Sequence, residues 1–124
     1  MNAPKTLAES FDRYVAAWAV HDPDAIADLH TDDTIFWLHH GQDPVSGREA
    51  VRDTFATMFK QLPDFGFVVH RTVFGSRHWV LDWTLTTGTA RWDCLDLVTV
   101  TDDWLVAHKD TFIDGVQLAR TLGE

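Results

Sequence analysis

In "CLDLVTV", residues 94–100, a carboxylate stands inside a run that otherwise reads as a buried strand. A charged group in an apolar setting costs several kcal/mol unless it is paired, hydrogen-bonded or protonated, so Asp96 needs a partner or a purpose. Side chains alternate along a strand, which groups Asp96 with Trp92, Cys94, Val98 and Val100 and leaves Arg91 and Asp93 on the other face. In the next apolar run, "LVAHKDTFI", the alternate set is Val106, His108, Asp110 and Phe112. If the two strands pair through the turn at "TDDW", Asp110 comes beside Asp96, and titratable groups so placed in a cleft often have shifted pKa values. Asp82 is less favoured, because Trp79, Leu81 and Trp83 claim the apolar face there. His39 and His40 add imidazoles that titrate near neutrality, and one of them is placed to act as a base. They do not read as a metal pair: neighbouring strand residues face opposite ways and no third ligand follows at a suitable spacing. The chemistry these residues offer is proton transfer without a cofactor.

Composition narrows the setting for that chemistry. The 124 residues make one domain, with enough chain to bury a real interior. Six tryptophans and 45% hydrophobic residues exceed what a polar binding module needs, so large apolar side chains must line something. A formal net charge of −9 with no basic cluster argues against nucleic acid and against an anionic membrane surface. Apolar runs such as "VAAWAV" are far short of a membrane span, and the first ten residues lack the apolar core of a signal peptide, so a cytoplasmic location is expected. The single Cys94 allows neither an internal disulfide nor a thiolate cluster and reads as a small buried residue.

The elements that must position these residues follow from periodicity. Leu7, Phe11, Tyr14, Val15, Trp18 and Ala19 recur at helical spacing between residues 6 and 20, with Tyr14 and Trp18 on the inner face. "HDPDAIADLH" opens a short second helix, with Asp22 as N-cap and Pro23 at the first helical position. "TIFWLHH" reads as a strand closed by the turn-forming "GQDP". Ser46 followed by Glu49 reads as a capping box opening a third helix, with Val51, Phe55, Met58 and Phe59 on its buried side and Pro63 beyond its end. Period-two runs at 65–74, 78–87, 90–100 and 104–113 then give four strands, and Asp114 caps a last short helix. Helices followed by a mostly antiparallel sheet predict an α+β domain over residues 1–124, with three helices covering one face of a curved sheet that can enclose a cavity.

These segments carry a family resemblance. "RYVAA", the "DP" entry to the second helix, "DD" before the first strand and "PVSGREAV" resemble the ketosteroid isomerases over the first 60 residues. "WTLTTGT", "CLDLVTVTDDWLVAHKD" and "GVQLARTLG" are similar to the SnoaL-like polyketide cyclases. Both families share the cone-shaped α+β fold of nuclear transport factor 2, a fold that hosts many activities. The resemblance implies that Tyr14 is the isomerases' oxyanion-hole tyrosine and Asp96 their second, protonated donor, the family case worked out in general accounts of pKa tuning. The isomerase base position falls on Leu38; Asp110 matches the acid/base aspartate of the cyclases, and His39 stands next to the empty base position.

The expected function is thus a cofactor-independent acid/base enzyme of the isomerase or cyclase type, acting on a small apolar carbonyl compound through an enolate. Tyr14, Asp96, Asp110 and His39 are its expected catalytic groups. Trp18, Trp37, Leu38, Trp83, Trp92, His108 and Phe112 are the expected substrate contacts, the tryptophans forming a flat wall for a ring-shaped ligand. Two alternatives stand beside it: a non-catalytic ligand-binding or dimerisation module of the same fold, and an epoxide hydrolase or dehydratase, which needs a carboxylate pair with an Arg or His. Outward Leu95 and Leu97 predict a homodimer built on the exposed sheet face, with no metal and no nucleic-acid partner.

Overall fold

A computed structural model describes residues 3–123 of the chain. Helix α1 (Leu7–Ala19) begins at Thr6, whose side chain accepts a hydrogen bond from Glu9 N, and α2 (Pro23–Ala27) begins at Asp22, which does the same for Ala25 N. Strand β1 (His30–His39) leads to the two-residue β2 (Val45–Ser46) and to α3 (Arg48–Gln61). The expected capping box does not form. Ser46 is engaged in β2 opposite Ile35, and Gly47, at φ 95°, takes the N-cap position without a side-chain bond. That left-handed backbone favours glycine and lets the chain turn from strand to helix within one residue.

Strands β3 (Gly66–Phe74), β4 (His78–Thr87), β5 (Ala90–Val100) and β6 (Val106–Ile113) follow as a meander, and α4 (Gly115–Thr121) ends the described chain under the Asp114 cap. The six strands form one curved, open sheet in the order β2-β1-β6-β5-β4-β3. All neighbours are antiparallel except β1 and β6, which run parallel and bring the first strand beside the last. Helices α1 to α3 cover the inner face. Phe55 of α3, Ile26 of α2 and Val98 of β5 are wholly inaccessible and Trp79 of β4 nearly so; truncating a buried aromatic of this kind to Ala typically costs about 3–5 kcal/mol.

Two irregularities set the facing of β6. The β1–β6 register shifts between His30 and Ile35, and the β5–β6 register shifts between Thr99 and Val100. Beyond the shift the ladder places Thr111 opposite Asp96 and Asp110 opposite Leu97. Lys109 and Thr111 therefore face inward, while His108, Asp110 and Phe112 face out.

A buried ion pair in the cavity, and where it places the expected residues

Between α1, α3 and the sheet lies a cavity of about 50 Å³, lined mostly by aromatic and aliphatic side chains. Its polar groups come from three elements. Asp96 projects from β5, Lys109 and Thr111 from β6, and Tyr14 from α1, and all four are nearly inaccessible. Thr111 Oγ1 donates to Asp96 Oδ1 at 2.8 Å, and Lys109 Nζ stands 3.7 Å from Asp96 Oδ2. The ammonium also lies over the rings of Trp18 and Tyr14, at 4.2 and 4.9 Å from their centroids. A buried cation is tolerated only where opposite charge and polarisable faces replace water, and here both do.

Tyr14 has a partner of its own. Its hydroxyl lies 2.9 Å from His30 Nε2, and His30 Nδ1 lies 2.8 Å from Thr34 Oγ1. His30 and Thr34 are fully inaccessible. Burial, reinforced by the Lys109 and Arg48 charges, pushes the His30 pKa down to about 3, so its imidazole is neutral near pH 7. Burial raises the Tyr14 phenol above its ordinary value, with the Lys109 charge and the Trp18 indole pulling it part of the way back. Tyr14 and Asp96 therefore line one cavity with separate partners and share Lys109 between them.

Among the expected site residues, Tyr14, Asp96, Trp18, Leu38 and Trp83 line this cavity. The remainder do not. Asp110 lies on the outer face, where Oδ1 is 2.7 Å from His39 Nε2 and Oδ2 is 3.2 Å from His108 Nε2. His39 is turned out because Leu38, its neighbour in β1, is turned in, and its ring stacks between Trp37 and Phe112 with centroids 4.2 Å away on each side. His40 is exposed just past the end of β1. Trp92 is buried, yet it packs toward α4, where its indole donates to Thr121 Oγ1 at 2.9 Å. The expected wall of four tryptophans is thus reduced to Trp18 and Trp83. Asp96 accepts from Thr111 on Oδ1 and has the Lys109 side chain beside Oδ2.

Sequence reasoning missed Lys109 and His30. Lys109 sits in a strand where neither alternate set is uniformly apolar, and only the cross-strand rungs counted back from Thr99–His108 reveal which set faces Asp96. His30 precedes the segment that reads as a strand from its β-branched and aromatic residues, and its burial follows from packing against Tyr14 and Phe55.

Two further polar atoms bear on the cavity. The Trp18 indole N–H is buried and acts on the Tyr14 hydroxyl, whereas that of Trp83 is buried with no hydrogen-bond partner, although native interiors leave few such groups unpaired. Cys94 is buried and its thiol is pushed up to about 12, chiefly by desolvation, which leaves it unreactive. A depression of about 830 Å³ between α2 and α3 opens to solvent, and its Arg48 and Arg52 are already bonded to Asp32, Asp24 and Asp53.

The sequence pattern of the SnoaL-like domain matches residues 11–108. The chain belongs to the SnoaL-like domain family. Solved structures with the same fold include an NTF2-like protein of unknown function from Cytophaga hutchinsonii, 15% identical, with all of both chains covered and a TM-score of 0.78. A steroid delta-isomerase from Pseudomonas aeruginosa is 18% identical over 99% of this chain and 96% of its own, with a TM-score of 0.76. SalBIII, an epoxide hydrolase/cyclase-like enzyme of pyran ring formation in the polyether salinomycin, is 16% identical over 90% of this chain and 92% of its own, with a TM-score of 0.77. No curated protein matches the sequence. At these identities the structures share a fold with this SnoaL-like chain, and its chemistry must be argued from its own cavity. No helix among the described residues is long and apolar enough to cross a membrane.

Proposed function

We propose that this SnoaL-like protein is a cofactor-independent acid/base enzyme that abstracts a proton next to the carbonyl of a small, mostly apolar compound. The observation that carries the reading is the Asp96–Lys109 pair inside an otherwise apolar cavity. With Leu38 where the isomerases place their base, Asp96 takes that role. Its carboxylate accepts the proton from the carbon beside the carbonyl, the C–H electron pair becomes a carbon–carbon double bond, and the carbonyl electrons move onto oxygen. Negative charge thereby passes from Asp96 to the enolate oxygen, and Lys109 serves as counter-ion before and after. Such fixed charge is most effective where water is excluded. Asp96 then returns the proton to another carbon, completing an isomerisation, or the enolate attacks a second carbonyl within the same molecule.

Tyr14 is the second oxyanion donor in this scheme, on one condition. The neutral His30 must carry its proton on Nε2 and donate it to the Tyr14 oxygen, with the Thr34 hydroxyl donating to Nδ1. The phenol proton is then free to point at the substrate. The opposite tautomer ties that proton to His30.

The deciding measurement is deuterium incorporation, by NMR in D2O, into small methyl ketones such as 2-pentanone. Faster exchange in the presence of the protein, lost by at least a hundredfold in Asp96→Asn and reduced tenfold or more in Tyr14→Phe, is the expected result. Binding without accelerated exchange would overturn it in favour of a ligand carrier, a reading favoured by the way Thr111 and Lys109 already satisfy Asp96. Asp96 is the only carboxylate lining the cavity among the described residues, so the carboxylate pair that epoxide opening needs is absent there. We also propose that the outer sheet face, where Leu95, Leu97 and Phe112 are each at least 40% exposed, is covered by a second copy of the chain.

A further inference from the structure

The inner cavity has a neighbour. A second hollow of about 390 Å³ lies between α3 and the turn after β1, and it shares three wall residues with the inner cavity: Phe36, Leu38 and Met58. Phe36 is fully packed, whereas Leu38 and Met58 are only partly buried, so the way from one hollow to the other runs past these two side chains. Met58 is unbranched and readily changes shape. The far wall is held in place by the turn after β1, where the Trp37 indole donates to the Gln42 carbonyl at 3.0 Å.

The two compartments differ in size and in chemistry. About 50 Å³ is a third of the roughly 150 Å³ that accommodates benzene in an engineered apolar cavity, so the inner cavity admits a head of a few heavy atoms and no fused ring. Lys109, Tyr14, Trp18 and Trp83, each more than nine-tenths buried, line that cavity, and the Trp83 indole N–H has no hydrogen-bond partner. They call for acceptor oxygens on the head. In the outer hollow, Asp43 and Asp53 are the only charged groups lining it among the described residues. Asp53 is already bonded to Arg52, so it is Asp43 that would repel an anionic tail there.

We infer that the ligand is an open-chain compound: a small carbonyl head lies beneath Trp18, Trp83 and Lys109, and an unbranched, neutral or cationic tail passes between Leu38 and Met58 into the outer hollow. The inference rests on the inner cavity being the ligand site and adds the shape and charge of what enters it. Leu38 in the place of a catalytic base then has a positive role, as one jamb of the passage.

Binding is measured by tryptophan fluorescence for methyl ketones from 2-butanone to 2-decanone. The expected result is a Kd that falls about fourfold for each added methylene along the whole series, the gain for burying one such group. In Leu38→Trp or Met58→Trp, each confirmed as folded by its melting curve, the gain per methylene should stop beyond 2-pentanone, whatever the affinity for 2-pentanone itself. A tail ending in carboxylate, as in 9-oxodecanoate, should bind at least tenfold more weakly than 2-decanone, and one ending in an ammonium group no more weakly. A wild-type series that levels off at 2-pentanone, or a slope that persists in both blocked variants, would overturn the passage. A carboxylate tail bound as tightly as the neutral one would overturn the charge preference. Failure of the catalytic reading shows separately, as absent deuterium exchange with the chain-length slope intact.

Discussion

Lys109 Nζ lies 3.7 Å from Asp96 Oδ2, and both side chains are about 95% shielded from solvent. Neither charge can stay in such a place alone. The pair is set by the register of β5 and β6, which puts Lys109 opposite Val98 and Thr111 opposite Asp96 on the inner side of adjacent strands.

Removing one partner should therefore harm the fold more than removing both. Lys109→Met leaves a buried carboxylate without its counter-ion, and the expected loss is about 3–5 kcal/mol in urea unfolding. Combining it with Asp96→Leu should recover a large part of that loss, the double-mutant coupling being positive. A double-variant loss equal to the sum of the Lys109→Met and Asp96→Leu losses would show that the pair contributes nothing specific.

His30 gives the folded chain an acid-sensitive stability. It titrates at about 3 when folded and near 6.5 when unfolded. As the pH falls below 6.5 the unfolded chain gains a proton that the folded chain refuses, so stability is lost from that pH down to about 3 and is untouched above 6.5. The slope is roughly 1.4 kcal/mol per pH unit, hence about 2 kcal/mol between pH 6.5 and 5. His30→Gln should flatten this stretch of the profile in denaturant titrations at stepped pH.

The outer-face cluster should be silent in catalysis. Asp110→Asn and His39→Ala alter a hydrogen bond on the far side of the sheet from the cavity, so deuterium exchange rates should stay within about twofold of wild type, while Asp96→Asn abolishes them. A hundredfold loss in Asp110→Asn would place the acid/base chemistry on the wrong face of our scheme.

Light scattering at micromolar concentration should report a dimer. Leu95→Asp together with Leu97→Asp puts two charges on the exposed apolar face and should yield a monomer that still melts cooperatively. A wild-type monomer would mean that this face needs no second copy.

Much of this molecule is legible in one dimension. Helical spacing placed Tyr14 and Trp18 on the buried side of α1, and Asp22 and Asp114 cap the helices they precede. Along β5 strict alternation turned Asp96 inward with Trp92, Cys94, Val98 and Val100. These features depend on backbone periodicity and on hydrogen bonds between near neighbours, so each carries its signal within a few residues.

The site itself depended on relations that no local pattern contains. Register shifts beside His30 and Val100 decide that Lys109 and Thr111, rather than His108 and Asp110, meet Asp96. One such step exchanges the two faces of a strand, because the side-chain period is two residues. The parallel pairing of β1 with β6 likewise brings His39 to Asp110 across 71 residues, on the outside. The sequence by itself determined which elements form and that a carboxylate and a phenol look inward; only the tertiary structure decided which cation neutralises the first and which imidazole holds the second, since register and strand order are settled by packing across the whole sheet.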